Sequence, residues 1–295
     1  MNHLTYHAHA KINLYLQVIG KRADGYHDLR MVMQSLALHD TLTFCPTFRK
    51  GHIAFTILNR PDLPTDDGNL VVRAARRLFD MFPPDGGAAI TLDKQIPVAA
   101  GLAGGSADCA ATLRGIRDMF AMPIDNDGLA VIGKSLGADV PYCLRGGSCL
   151  AEGIGERLTP LPPMPPCIVL LAKPPVNIST ADVFRAYNAD FAAEESTANK
   201  NRVNSLSKAL EAQDVSDIAR ALSNDLEGVT EATTPIITNI KQIMTENGAE
   251  GSLMSGSGPS VFGLYKNEST AKRAMCALQA AFPDMPEIFL TAIHA

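Results

Sequence analysis

The chain has no tryptophan, no C-x-x-C pair, no apolar run long enough to span a bilayer, and no large excess of either charge. Each absence removes a class of function. With Lys and Arg numbering 26 against 31 Asp and Glu, the net charge of −5 leaves no global basic footprint. Nonspecific nucleic-acid binding is therefore not expected, and an anionic substrate has to be held locally, by backbone N–H groups and a few cations. The six cysteines, Cys45, Cys109, Cys143, Cys149, Cys167 and Cys276, lie near no histidine at zinc-ligand spacing. They read as reduced thiols acting as small apolar residues. Lys11, Asn13 and Gln17 interrupt the first apolar stretch, so it does not read as a signal peptide. The expectation is a cytoplasmic protein with no membrane partner. No internal repeat is visible.

What is present is an ordinary globular composition, 46% apolar and 19% charged over 295 residues, enough for one large domain or two smaller ones. Residues 10–18 alternate apolar with mostly polar side chains and predict a strand. A polar loop over 20–27 follows, then more strand to Phe44. Asp67 and Asn69 are placed to cap a helix over 70–82. A strand over 88–96, a glycine-rich loop over 97–105, and helices over 106–120 and 127–136 complete the first half. Five prolines within residues 159–166 make a stiff connector, which sets the expected domains at 1–160 and 161–295. Beyond it the pattern predicts a strand over 167–172 and helices over 205–212, 216–226 and 235–247, with Gly248 as C-terminal cap. A small-residue turn over 255–260, a strand over 261–265, a helix over 269–282 and a strand over 288–293 follow.

The strongest chemical signal is Pro97-Val98-Ala99-Ala100-Gly101-Leu102-Ala103-Gly104-Gly105-Ser106-Ala107, between a strand and an amphipathic helix. Small residues let backbone amides approach an anion, and the following helix adds unpaired N–H groups and its positive dipole end. This pattern suits a polyphosphate; an ordinary tight strand-to-helix turn is the bland alternative. It lacks the G-x-G-x-x-G spacing of a dinucleotide fingerprint. A second segment, Gly128-Leu129-Ala130-Val131-Ile132-Gly133-Lys134-Ser135, matches a nucleotide-binding P-loop letter for letter. Its interior is too apolar for a phosphate loop, and it follows a polar turn where a strand is required, so it reads as an amphipathic helix. Asp139, in Gly137-Ala138-Asp139-Val140-Pro141, reads as a loop residue at a helix end. Ser255-Gly256-Ser257-Gly258-Pro259-Ser260 is either a flexible hairpin or a second backbone cradle. Lys11 has the alternation of an exposed strand residue.

In this order, the early strand with Lys11, the loop from Pro97 to Ser106 and the small-residue loop from Ser255 to Ser260 resemble the three motifs of the GHMP kinase superfamily. The second departs from many members, which have two serines where this chain has Ser106-Ala107. The segments Ala10-Lys11-Ile12-Asn13-Leu14, Arg22-Ala23-Asp24-Gly25-Tyr26-His27, Asn69-Leu70-Val71-Val72-Arg73-Ala74-Ala75, Leu136-Gly137-Ala138-Asp139-Val140-Pro141 and Ala151-Glu152-Gly153-Ile154-Gly155-Glu156 are similar to one branch of that family. That branch phosphorylates the 2-hydroxyl of a diphosphocytidyl sugar alcohol in the non-mevalonate route to isoprenoid precursors. The resemblance implies an α+β, two-domain fold with the active site in the inter-domain cleft. It also implies ATP as donor, Mg2+ accompanying it, a small-molecule partner with a cytidine diphosphate group, and a monomer or homodimer.

The resemblance implies residue roles as well. Asp139 accepts or steers the proton of the attacking hydroxyl, and Lys11 orients it and offsets growing charge. Residues Pro97 to Ala107 hold the ATP phosphates, with Ser106 touching phosphate or magnesium. Asn69 and Lys94 line the adenine side. On the acceptor, Asn13 holds the sugar alcohol, Tyr26 and Phe184 sandwich the cytosine, His27 reads its edge, and Thr180 adds a hydrogen bond. Two readings stay open beside this one. The first is another small-alcohol kinase of the same family, such as homoserine or mevalonate kinase, which would not need the Asp24-Gly25-Tyr26-His27 loop. The second is a non-catalytic nucleotide- or RNA-binding module, against which the acidic balance speaks.

Overall fold

The computed structural model describes residues 3–190 and 196–294. In chain order the elements are β1 (Leu4–Lys21), β2 (His27–Thr47), β3 (Ile53–Ile57), α1 (Leu70–Met81), β4 (Gly87–Asp93), α2 (Gly104–Met119), α3 (Asn126–Leu136) and α4 (Val140–Arg145). They continue with β5 (Ser148–Gly153), β6 (Arg157–Pro160), β7 (Ile168–Lys173), α5 (Thr180–Asp190), α6 (Ser196–Ala212), α7 (Val215–Ala221) and β8 (Ser223–Asn224). Last come α8 (Glu227–Thr233), α9 (Ile236–Glu246), β9 (Gly251–Met254), β10 (Val261–Tyr265), α10 (Glu268–Ala281) and β11 (Glu287–Ala292).

The chain forms two compact units interleaved along the sequence. The first comprises Met1–Ala10, Leu38–Val98 and Ala103–Gly146; the second comprises Lys11–Ala37, Ala99–Leu102 and Gly147–Ala295. These units do not divide at the single cut near residue 160 that the prolines predict. Residues 161–167 carry no regular structure, as so many prolines require, but they lie inside the second unit between β6 and β7.

In the first unit β3 runs parallel to β4, and β4 pairs antiparallel with residues 41–47 of β2. Helices α1 and α2 share its core with Leu42, Phe44, Ile90 and Leu92. Asn69 starts α1 as expected: its side-chain oxygen accepts the Val71 N–H, and Val71, Val72, Ala74, Ala75, Leu78 and Phe79 form the buried face. Helix α2 approaches the sheet closely because it has no side chain at Gly115, where a Cβ would lie 2.5 Å from the Phe44 ring. In the second unit residues 29–34 of β2 pair with β5, β5 pairs with β6, and β11-β7-β10-β9 make an antiparallel sheet. Helices α9 and α10 pack on that sheet through Ile237, Ile240, Ala274 and Leu278.

One predicted helix is divided. The pattern over 216–226 gives α7 and then β8, whose Ser223 and Asn224 pair in parallel with Tyr15 and Leu16 of β1. Asn224 explains the break. Its side-chain NH₂ donates to the carbonyls of Met254 (2.9 Å) and Gly256 (2.7 Å), and its oxygen accepts from Leu226 N–H at 3.0 Å. A helical Asn224 would not make these bonds.

Candidate active site

Within the second unit, three separate stretches of sequence meet at one hydroxyl. Ser255 Oγ donates to the Gly101 carbonyl at 3.0 Å and accepts from Asn13 N–H at 3.3 Å. Ser260 N–H reaches the Ala100 carbonyl at 3.4 Å, and Lys11 N–H the Leu102 carbonyl at 3.0 Å. The early strand, the centre of the glycine-rich loop and the small-residue turn are thus hydrogen-bonded together. The turn joins β9 to β10 as a hairpin and is hydrogen-bonded into this arrangement. Gly101 has φ +75°, and a Cβ there would lie 2.2 Å from the Ser255 carbonyl oxygen. Both the backbone conformation and the close approach demand glycine.

Lys11 does not have the exposure of an ordinary strand lysine. It is 5% exposed, and its ammonium donates to Asn13 Oδ1 at 2.5 Å. The Asn13 NH₂ is itself buried, with no hydrogen-bond partner among the described residues. A buried donor left unpaired is costly, about 1–3 kcal/mol, and such groups collect where a ligand completes them.

The glycine-rich loop alternates its handedness. Ala99, Gly101 and Ala103 have φ of 52°, 75° and 56°. Left-handed alanine costs about 1–2 kcal/mol each, and alternation of this kind turns successive N–H groups into an anion-binding concavity. Ala103 is the N-cap of α2 and supplies no side-chain cap, and the first turn has no acidic residue. The N–H groups of Gly104, Gly105 and Ser106 are thereby left for an incoming acceptor.

In the first unit, the turn carrying Asp139 lies beside this helix start. A Cβ on Gly137 would be 3.6 Å from Ser106 Oγ. Asp139 is the N-cap of α4, but its side chain makes no capping bond there, and Pro141 occupies the first turn. Its carboxylate is therefore not spent on the helix.

Lys94 has an occupation different from the adenine-side role that the resemblance implies. Its ammonium is buried, paired with Asp40 and 3.0 Å from Asp108 Oδ2. Asp40 also accepts the N–H of Ile96 at 2.7 Å and that of Gln95. Burial pushes the Asp108 carboxyl well above the usual carboxylate range; Lys94 opposes this and the neighbouring Asp40 adds to it. Asn69, the other residue assigned to adenine, spends its oxygen on the α1 cap and its NH₂ on the Pro64 carbonyl at 3.0 Å.

On the acceptor side, the second unit stacks His27 on Phe184, with centroids 4.8 Å apart and planes at 19°. His27 is buried, whereas Tyr26 is 62% exposed in a loop turned by Gly25. Thr180 and Ser257 share a hydrogen bond of 2.8 Å between their hydroxyls, which ties the start of α5 to the small-residue turn.

Residues 69–147 match the GHMP kinases N terminal domain, and residues 206–284 match the GHMP kinases C terminal domain, together more than half of the chain. The chain belongs to the GHMP kinase family. A 4-diphosphocytidyl-2-C-methyl-D-erythritol kinase of Lachnoclostridium phytofermentans is 44% identical over 291 residues, 99% of this chain and 97% of the relative. A crystal structure of 4-(cytidine 5'-diphospho)-2C-methyl-D-erythritol kinase superposes with a TM-score of 0.83 at 31% identity, covering 99% of this chain and 100% of that one. Homoserine kinase from Cytophaga hutchinsonii shares the fold, with a TM-score of 0.78 at 20% identity over 99% of this chain and 95% of that one.

The P-loop lookalike of this GHMP kinase is helix α3. Asp125 caps it by accepting the Gly128 N–H at 2.8 Å, and a Cβ on Gly133 would lie 2.6 Å from Val140. No phosphate fits where Gly133 packs against a neighbouring side chain, and Lys134 is exposed in the last turn. Lys134→Ala should leave the KM for ATP within about twofold of wild type, as for surface substitutions generally. Steady-state titration with ATP checks this, and a tenfold rise would restore a phosphate role to α3. Among the described residues of this GHMP kinase, no helix is long and apolar enough to cross a membrane.

Three contributors to the site are illegible from sequence. Asn224 reads as mid-helix, Asp40 as one polar position on a long strand, and Asp108 as part of a small-residue helix run. The only available signal is that Asp40 and Asp108 interrupt otherwise apolar faces, and a buried carboxylate needs a cation.

Proposed function

We propose that this chain transfers the γ-phosphoryl group of ATP to the 2-hydroxyl of 4-diphosphocytidyl-2-C-methyl-D-erythritol. The observation that carries phosphoryl transfer is the placing, in one unit, of the uncapped start of α2 beside the Asp139 turn, with Gly137 next to Ser106. The choice of acceptor is supported by the 44% identity to a kinase named for it and by the paired His27 and Phe184 rings.

The division of labour follows from charge. Backbone N–H groups of residues 99–106 receive phosphate oxygens, and Mg2+ accompanying ATP would supply further neutralisation of negative charge. Ser106 is the side chain assigned to touch phosphate or metal. Asp139 receives the proton of the attacking hydroxyl, a role contributing typically ~10²–10⁴-fold. Lys11 offsets charge on the transferring group. Asn13, whose NH₂ has no partner among the described residues, donates to the sugar alcohol. Tyr26 and Phe184 flank the cytosine, His27 reads its edge and holds Phe184 in place, and Thr180 hydrogen-bonds the acceptor with the capacity Ser257 leaves it.

The deciding experiment is an ATP-dependent transfer assay with the diphosphocytidyl acceptor set against homoserine and mevalonate. Turnover of the first alone is expected; preference for either of the others would reassign the chain within its family. Tyr26→Ala should raise the KM for the acceptor by the equivalent of ~1–3 kcal/mol, the usual worth of base–aromatic stacking, and leave the KM for ATP unchanged. His27→Ala should do more than weaken the choice of cytosine over uracil, because Phe184 loses the ring it rests on. Kinetics with cytidine and uridine forms of the acceptor test both variants, and an unaltered acceptor KM in Tyr26→Ala would remove the stacking role.

A further inference from the structure

Asp40, Lys94 and Asp108 lie on three elements that the glycine-rich loop joins or adjoins. Asp40, on β2, is 0% exposed and accepts the backbone N–H groups of Gln95 and Ile96, where the chain leaves β4 toward the loop. Lys94 pairs with Asp40 and with Asp108, which sits in the second turn of α2, where the chain has left the loop. The first residue of α2 rests on the same group: a Cβ at Gly104 would be 2.9 Å from Lys94 Nζ and 3.0 Å from Ile96 Cγ2. One carboxylate thus fixes the start of the loop directly and its end through a single ammonium.

We propose that Asp40, acting through Lys94, is a positioning residue that sets the affinity of the α2 start for the phosphates of the donor nucleotide. Lys94 on this account touches no part of the base. It holds Gly104 and the turn behind it at the spacing a phosphate needs, and its charge lies directly behind the unpaired N–H groups. A purely structural ion pair would make the protein less stable when cut, without selecting one portion of a ligand. A base-reading lysine would change the preference among nucleotides. A positioning lysine weakens every ligand that carries the polyphosphate, to the same degree.

The inference rests on ATP being the donor, but its test is binding and not turnover. A chain that bound ATP and transferred nothing to the diphosphocytidyl acceptor would remove the proposed function and leave this proposal standing. Calorimetric titration of the full chain with ATP, GTP and tripolyphosphate, each with Mg2+, compares wild type with Lys94→Met and Asp40→Asn. Lys94→Met should weaken ATP and tripolyphosphate alike by about tenfold or more, as expected for loss of a charge-assisted contact, with the ATP-to-GTP ratio unchanged. Asp40→Asn keeps the volume and the oxygen that accepts from Gln95 and Ile96, and should weaken both ligands severalfold. If Lys94→Met fails to fold by circular dichroism, Asp40→Asn decides alone. Unchanged tripolyphosphate affinity in folded Asp40→Asn overturns the proposal. So does a Lys94→Met that loses the ATP-to-GTP preference while binding tripolyphosphate as wild type does.

Discussion

Asp139→Asn is expected to lower kcat by roughly 10²-fold or more while leaving both KM values within a few fold. Asp139 caps α4 by position, with no side-chain capping bond, so an isosteric amide leaves the helix start as it is. Its backbone carbonyl still accepts the Cys143 N–H at 3.0 Å. What the amide removes is the capacity to receive a proton. A loss confined to kcat, with the circular dichroism spectrum and unfolding midpoint preserved, is the signature of a group needed only in the transition state. A variant retaining more than half of wild-type turnover would reduce Asp139 to a turn residue.

Gly101→Ala should abolish measurable donor binding or raise its KM by at least ~10²-fold, the usual consequence of misplacing a phosphate-binding group by about an ångström. Two constraints act together. The backbone is left-handed, and the added methyl meets the Ser255 carbonyl at 2.2 Å, backbone against backbone, so no rotamer relieves the contact. The displacement passes to Asn13 through Ser255, which bonds both. Gly105 is the control within the same motif. A Cβ there meets nothing closer than Leu70 at 3.9 Å, and alanine is the better helix former. Gly105→Ala should therefore be at least as stable as wild type, and any loss of donor affinity in it reports the approach of the ligand. Equal donor affinities in Gly101→Ala and wild type would show that the phosphates bind elsewhere.

What the sequence made legible follows local physics. Asn69 ahead of an apolar period of 3.6 announces α1, and the polar turn before Gly128 separates α3 from a true P-loop without any coordinates. The glycine-rich loop is readable because the requirement it meets, close approach of backbone to an anion, leaves a mark on composition. The rest is long-range. Lys94 lies 54 residues from Asp40, and no periodicity marks their pairing. The helix predicted over 216–226 breaks at Asn224 for the sake of carbonyls some 30 residues away. The short helix α4 contains one and a half turns and a proline, too little to carry a period. The proline-rich stretch at 159–166 has the stiffness expected of it, but stiffness does not say which side of a boundary it serves.

The interleaving of the two units bears on how the chain comes to be folded. The bond from Asn13 to Ser255 closes across 242 residues, and that from Gln34 to the His294 carbonyl across 260. A chain emerging from the ribosome has released Lys11, Asn13 and Gly101 well before Ser255 is made, so the arrangement they share waits for Ser255. Such non-local closure is slow compared with helix formation, and until it occurs the Asn13 N–H and the carbonyls of Ala100 and Gly101 lack the partners that Ser255 and Ser260 supply. A truncated product ending at residue 160 would carry the residues proposed to bind phosphate and lack the hydrogen bond from Ser255 to the Gly101 carbonyl. The loop at 99–102 is in this sense shaped late, only when residues 255–260 return to it.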